Sequence, residues 1–152
     1  QMLRFQYRQF IPLSKRWGIL WFNDAGLIDA QENNLLNLFY LGREIPNELN
    51  HVNFYGLDYM ENPANRYAFS GVKFRFEPAL DYFASLIFNY GYYQADSYSV
   101  ANDDENIEVA ATAEEIMGAG IELGVHTRLG PAWFSGEYNL RTENFNFAIL
   151  MG

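Results

Sequence analysis

Residues 119–128 read Ala119-Gly120-Ile121-Glu122-Leu123-Gly124-Val125-His126-Thr127-Arg128. Ala119, Ile121, Leu123, Val125 and Thr127 share one phase; Gly120, Glu122, Gly124, His126 and Arg128 share the other. A period of two held along the whole stretch describes a β-strand with one apolar and one polar face. The pattern recurs outward from there. Leu3, Phe5 and Tyr7 oppose Arg4, Gln6 and Arg8, while Val72, Phe74 and Phe76 oppose Gly71, Lys73 and Arg75. At the end of the chain Phe145, Phe147, Ile149 and Met151 oppose Asn144, Asn146, Ala148 and Leu150, with a weaker contrast. Seven strands are expected, over residues 2–10, 16–28, 66–77, 81–94, 115–128, 132–141 and 143–151. In 16–28 both phases hold large apolar residues (Trp17, Ile19 and Trp21 against Leu20 and Phe22), so its facing stays open.

The connections alternate in length. Ile11-Pro12-Leu13-Ser14-Lys15, Glu77-Pro78-Ala79-Leu80 and Leu129-Gly130-Pro131 are short, contain Pro, and fall at one end of such a sheet. Stretches of roughly 37 and roughly 20 residues, after 16–28 and 81–94, fall at the other end with the tight hairpin at Arg141-Thr142. Short turns on one side and long loops on the other are the asymmetry of outer-membrane barrels.

Composition narrows the alternatives. With 49% hydrophobic residues the chain can form a core, which excludes wholesale disorder. A formal charge of −9 argues against a nucleic-acid-binding surface. The lack of Cys removes disulfides, thiolate metal sites and cysteine nucleophiles. The longest apolar runs, Ile19 to Phe22 and Phe147 to Met151, fall far short of the roughly 20 residues a spanning helix needs. A spanning strand needs only about 9–11, with every second one apolar. A soluble sandwich would also alternate, but its polar faces should be rich in Lys and Glu. Here they hold Gly, Ser, Asn, Gln and Arg, as a polar lumen would. Trp17, Tyr67, Tyr82, Tyr92, Tyr93 and Trp133 lie near strand ends, where an aromatic girdle would place them. The chain opens at Gln1 and closes at Met151-Gly152, and is read as part of a longer protein: a single partial domain, 1–152.

Gly118-Ala119-Gly120-Ile121-Glu122-Leu123-Gly124, followed by Arg128-Leu129-Gly130-Pro131-Ala132-Trp133-Phe134-Ser135-Gly136, resembles the penultimate hairpin of the outer-membrane assembly-factor superfamily. That group holds the BamA- and TamA-like insertases and the two-partner-secretion transporters. Phe145-Asn146-Phe147 resembles its closing strand. The resemblance implies an all-β antiparallel transmembrane β-barrel of sixteen strands, of which this chain supplies the last seven. Counted back from 143–151, segment 16–28 is the eleventh. The family's long external loop follows that strand and folds into the lumen through a Val-Arg-Gly-Phe-like motif. Phe54-Tyr55-Gly56-Leu57 stands in the corresponding place.

The run from His51 to Glu61 resembles more closely the barrel appended to bacterial patatin-like phospholipases, common in Bacteroidetes. The resemblance implies an outer-membrane location in a Gram-negative bacterium and a barrel that anchors or exports a phospholipase domain outside this chain. An insertase barrel is the alternative. Partners implied are outer-membrane lipids and an N-terminal periplasmic or passenger domain of the same protein; a homo-oligomer is also admitted.

No Ser here stands in a Gly-x-Ser-x-Gly elbow, Ser70 and Ser135 included, so no catalytic residue is expected in the chain. His51 and His126 have no spaced partner for a metal site, and no cofactor is expected. Asp96, Asp103, Asp104, Glu105, Glu108, Glu114 and Glu115 read as a solvated external loop in preference to a cation site. Arg4, Arg8, Lys73, Arg75 and Arg128 fall on the polar phase; pairing with Asp24, Glu122 and Glu137 in a plugged lumen is preferred to an anion-conducting ring.

In insertase relatives the motif Arg pairs with an Asp in a Phe-x-Asp-x-Gly strand. This chain has Tyr55 for the Arg, and Ile87-Phe88-Asn89-Tyr90-Gly91 for the strand, so Asn89 replaces the Asp. The expectation is a neutral hydrogen bond from the Tyr55 hydroxyl to the Asn89 amide, without a salt bridge, on a lumen wall shared with Gly91, Lys73 and Arg75. Asp24, in Phe22-Asn23-Asp24-Ala25-Gly26, is the competing partner, with Gly26 beside it.

Overall fold

The computed structural model describes residues 1–28, 38–42, 51–58, 61–96, 98–101, 106–109, 111–128 and 130–151. Its strands, in chain order, are β1 (Met2–Pro12), β2 (Trp17–Ile28), β3 (Phe39–Gly42), β4 (His51–Asn53), β5 (Asn62–Ala64), β6 (Arg66–Ala79), β7 (Tyr82–Ala95), β8 (Tyr98–Ala101), β9 (Asn106–Val109), β10 (Thr112–Thr127), β11 (Gly130–Asn139) and β12 (Phe145–Met151). No described residue is helical. The seven long strands form one antiparallel sheet in the order β1-β2-β6-β7-β10-β11-β12 and match the seven read from alternation. The sheet is open, with β1 and β12 at its edges.

Boundaries move where turn chemistry decides them. Ser14 Oγ accepts from the N–H groups of Arg16 and Trp17, closing the β1–β2 turn. Asn139 Oδ1 accepts from the N–H groups of Arg141 and Thr142, which ends β11 two residues before the expected limit of 141. Thr127 pairs directly with Gly130, so β11 starts at Gly130 rather than 132.

Register sorts every long strand into the same two faces. One row across the sheet runs Arg8, Phe22, Gly71, Asn89, Gly118, Asn139; the next polar row runs Leu20, Lys73, Ile87, Gly120, Glu137. Described residues of the connection between β2 and β6 cover the middle of this polar phase. Its apolar opposite is bare: Ile121 and Leu123 are each 54% exposed, Phe147 61% and Ile149 80%. On β2 the bare side takes Trp17, Ile19 and Trp21, which resolves the facing that sequence left open. Trp17 stacks on Phe76 at 4.4 Å and Phe134 on Phe147 at 5.8 Å, cross-strand ring pairs that brace an uncovered surface.

The long connection, read from sequence only as a loop, folds into a second sheet in the order β4-β3-β5. β4 is parallel to β3, and β5 antiparallel. Phe39, Leu41, Val52, Phe54, Leu57 and Ala64 from this insert pack against Tyr67, Phe69, Tyr93 and Ile116 of the main sheet. The apolar core therefore lies on the polar face of the large sheet. Tyr67 and Tyr93 belong to that core, 3% and 6% exposed, and Trp133 shares the covered phase with Ser135 and Glu137. These three are corrected from the aromatic girdle; Trp17, Tyr82 and Tyr92 do lie on the bare side.

β8 and β9 form a hairpin in the connection from β7 to β10. Asp103, Asp104, Glu105 and Leu129 lie outside the described residues.

Candidate functional site

Turn 54–57 of the insert lies against β10 and β11 on the covered face. Phe54 N–H donates to the Gly42 carbonyl (2.8 Å), continuing the β3–β4 ladder, and the Phe54 ring meets Phe69 edge-on at 5.4 Å. Gly56 then turns the chain with φ +95, a conformation that side chains rarely tolerate. A Cβ on Gly56 would stand 2.8 Å from the Tyr138 carbonyl, so the turn needs the missing side chain for closeness as well. Opposite it, a Cβ on Gly118 would collide with the Tyr55 carbonyl oxygen. The Gly-rich start of the hairpin motif is thus the floor on which the turn rests.

Four side chains hold the turn there. Asn89 Nδ2 donates to the Tyr55 carbonyl (3.2 Å). The Tyr55 hydroxyl donates to Glu122 Oε1 (2.8 Å) and accepts from Lys73 Nζ (3.3 Å). Lys73 pairs with Glu122 Oε2 at 2.7 Å, with its ammonium 5.6 Å from the centre of the Tyr55 ring. Gly56 N–H donates to Glu137 Oε2 (3.1 Å), whose other oxygen accepts from Ser135 Oγ (3.0 Å). Glu122 and Glu137 are each only 3% exposed.

The expected contact between Tyr55 and Asn89 therefore forms through different atoms. The Tyr55 hydroxyl reaches Glu122 rather than the Asn89 amide, and Asn89 holds the backbone of the turn instead. The docking is not free of salt bridges either, because the hydroxyl sits on the Lys73–Glu122 pair. Charge explains the change: a buried carboxylate already neutralised by Lys73 is a stronger acceptor than an amide.

Asp24 is occupied elsewhere. Arg4 grips it through two nitrogens (3.2 and 2.7 Å), and Gln6 and the Tyr67 hydroxyl each donate to it at 2.7 Å. The same Arg4 donates to the His51 carbonyl (3.1 Å), so this cluster pins the start of the segment whose end Glu137 pins. Gly26 lies under the rings of Phe39 and Tyr67, and Gly91 beside Phe69. Arg75 stands apart from the turn: it pairs with Glu77 (2.9 Å), approaches His126 Nε2 (3.1 Å) and covers the Phe83 ring at 4.2 Å. In the hairpin motif, Gly130 takes φ +120 and Pro131 sits opposite His126.

Sequence reading placed Tyr55, Gly56, Asn89, Lys73 and Asp24 but missed Glu122 and Glu137 as holders of the turn. A signal existed, since both are acidic residues on polar phases, but alternation assigns a face and not a partner. No group of His, Asp and Glu suited to a metal ion occurs among the described residues. No protein-family model, curated protein or solved structure matches the chain.

Proposed function

We propose that this chain is the membrane-embedded C-terminal part of a sixteen-stranded outer-membrane barrel whose parent is a patatin-like phospholipase, with the barrel anchoring or exporting the hydrolase. The observation that carries the membrane reading is the inversion of the sheet: ion pairs and buried carboxylates on the covered face, bare aromatic and aliphatic side chains on the other. Soluble monomers rarely expose a contiguous apolar patch above a few hundred Å². The bare face of seven strands is far larger than that. A lipid solvent would cover it without further protein.

Dimensions agree. On β7 the bare phase is bounded by Tyr82 and Tyr92 and holds Ala84, Leu86, Phe88 and Tyr90 between them. The ten steps from Tyr82 to Tyr92 at about 3.3 Å each, tilted about 40°, rise about 25 Å, the height of the apolar band of such barrels. Turn 54–57, which replaces the insertase Arg with Tyr55, favours the phospholipase branch over the insertase.

Two measurements on the full-length protein test this. A folded barrel extracted from outer membranes should migrate differently on a denaturing gel before and after heating. A phospholipid hydrolysis assay should show activity blocked by a serine-directed inhibitor. Recovery in the soluble fraction would refute the barrel. A heat-modifiable membrane protein with no hydrolase activity would refute only the phospholipase parent.

A further inference from the structure

Of the five cations on the polar phase, Arg4, Lys73 and Arg75 hold carboxylates, and Arg128 is exposed in the β10–β11 turn. Arg8 is exposed on edge strand β1 and has no ion-pair or hydrogen-bond partner among the described residues. It lines a cavity of about 210 Å³ between turn 54–57 and strands β1, β2 and β6. Arg4 and Lys73 share that wall, against Asp24 as the one lining carboxylate. Asn53 also lines it, and its side-chain oxygen is buried with no hydrogen-bond partner. An Asn amide carries two N–H donors beside its oxygen, and an anion held in this cationic space would give those donors a partner. The cavity is smaller than the roughly 300 Å³ of a drug-sized pocket but holds a small tetrahedral anion with room to spare.

We propose that this cavity binds a phosphate-type oxyanion, with Arg8 as its forked donor, Asn53 as a neutral donor, and Lys73 and Arg4 as surrounding positive charge. A guanidinium matches such an anion with two parallel hydrogen bonds, and Arg8 is the one cation of this wall not already so engaged. Only residues of this chain line the cavity. The rival for Arg8 is a carboxylate on a strand added to the free edge of β1, which would leave no anion site at all.

Calorimetric titration of the full-length protein in detergent with inorganic phosphate, and separately with butyl phosphate, decides. Saturable binding of phosphate is expected, weakened about tenfold or more in Arg8→Gln, as the loss of a charge-assisted pair implies. Asn53→Asp should weaken it at least as much, and its small change keeps the test valid if Arg8→Gln fails to fold. Arg16→Gln, in the β1–β2 turn, should leave it unchanged. Tighter binding of butyl phosphate, through the apolar wall of Leu20 and Phe22, would identify a lipid headgroup; equal binding would identify free phosphate. Absence of saturable binding, or equal loss in Arg16→Gln, overturns the proposal.

Discussion

Tyr55 makes its strongest bond to a carboxylate that is itself half of an ion pair, and this sets an order of costs. Tyr55→Phe removes a hydrogen bond to a charged group, about 1.5–3 kcal/mol. Glu122→Gln should cost more, about 3–5 kcal/mol, because Lys73 is left without its counter-charge at 18% side-chain exposure. Chemical denaturation of the protein in lipid vesicles would measure both, and a larger loss for Tyr55→Phe would contradict the arrangement. The floor of the turn gives a sharper contrast. Gly118→Ala places a methyl against the Tyr55 carbonyl and should expel residues 54–57, costing about 1–3 kcal/mol. Gly136→Ala, on the bare face with its nearest neighbour at 3.6 Å, should stay within about 0.5 kcal/mol. Protease nicking near Tyr55 should rise in the first variant only; equal nicking in both would show that the turn does not depend on that floor.

At the scale of the strand, the two phases of β10 should behave as though in different solvents. Leu123→Arg should cost about 2–4 kcal/mol if that position lies at the bilayer midplane. Gly124→Arg instead drives a side chain into the Phe83 ring on the covered side and acts by crowding. Spin labels at 121, 123 and 125 should meet a lipid-soluble quencher that labels at 122 and 124 do not; equal access would refute the lipid-facing assignment. These elements were legible because alternation is local: a window of ten residues reports both strand and face. The insert was not. β4 and β5 have three residues each, too few to display a period, and they are ordered by contacts with Tyr67, Phe69 and Tyr93 across the large sheet. The Tyr55–Glu122 bond spans 67 residues, a separation about which alternation is silent. Tyr67, Tyr93 and Trp133 were misplaced for a related reason: proximity to a strand end suggested a girdle, whereas their phase, set by register, turned them inward.

For the whole molecule, the arrangement of ends implies a topology. The turns from β1 to β2, from β6 to β7 and from β10 to β11 share one end of the sheet, and the insert, the β8–β9 hairpin and the β11–β12 turn share the other. In an outer membrane the second end is extracellular, so protease added to intact cells should cut near Asp103-Asp104. Cutting only after the membrane is ruptured would invert the topology. The edges lead to the last expectation. β1 and β12 stand at the two edges of the sheet, and along β1 every second N–H and C=O faces away from β2, with no strand beside it among the described residues. In hydrocarbon each such group costs several kcal/mol, which no spanning structure sustains along eleven residues of β1. In a spanning sheet those groups would be met by strands outside this chain, and in a closed barrel by two of them, one on each edge. Hydrogen–deuterium exchange on the full-length protein in vesicles reads this directly. Consecutive amides from Leu3 to Phe10 should all be protected, both those facing β2 and those facing away. An alternating record, with every second amide of β1 exchanging freely, would mean that the edge is open and that the sheet does not close in lipid.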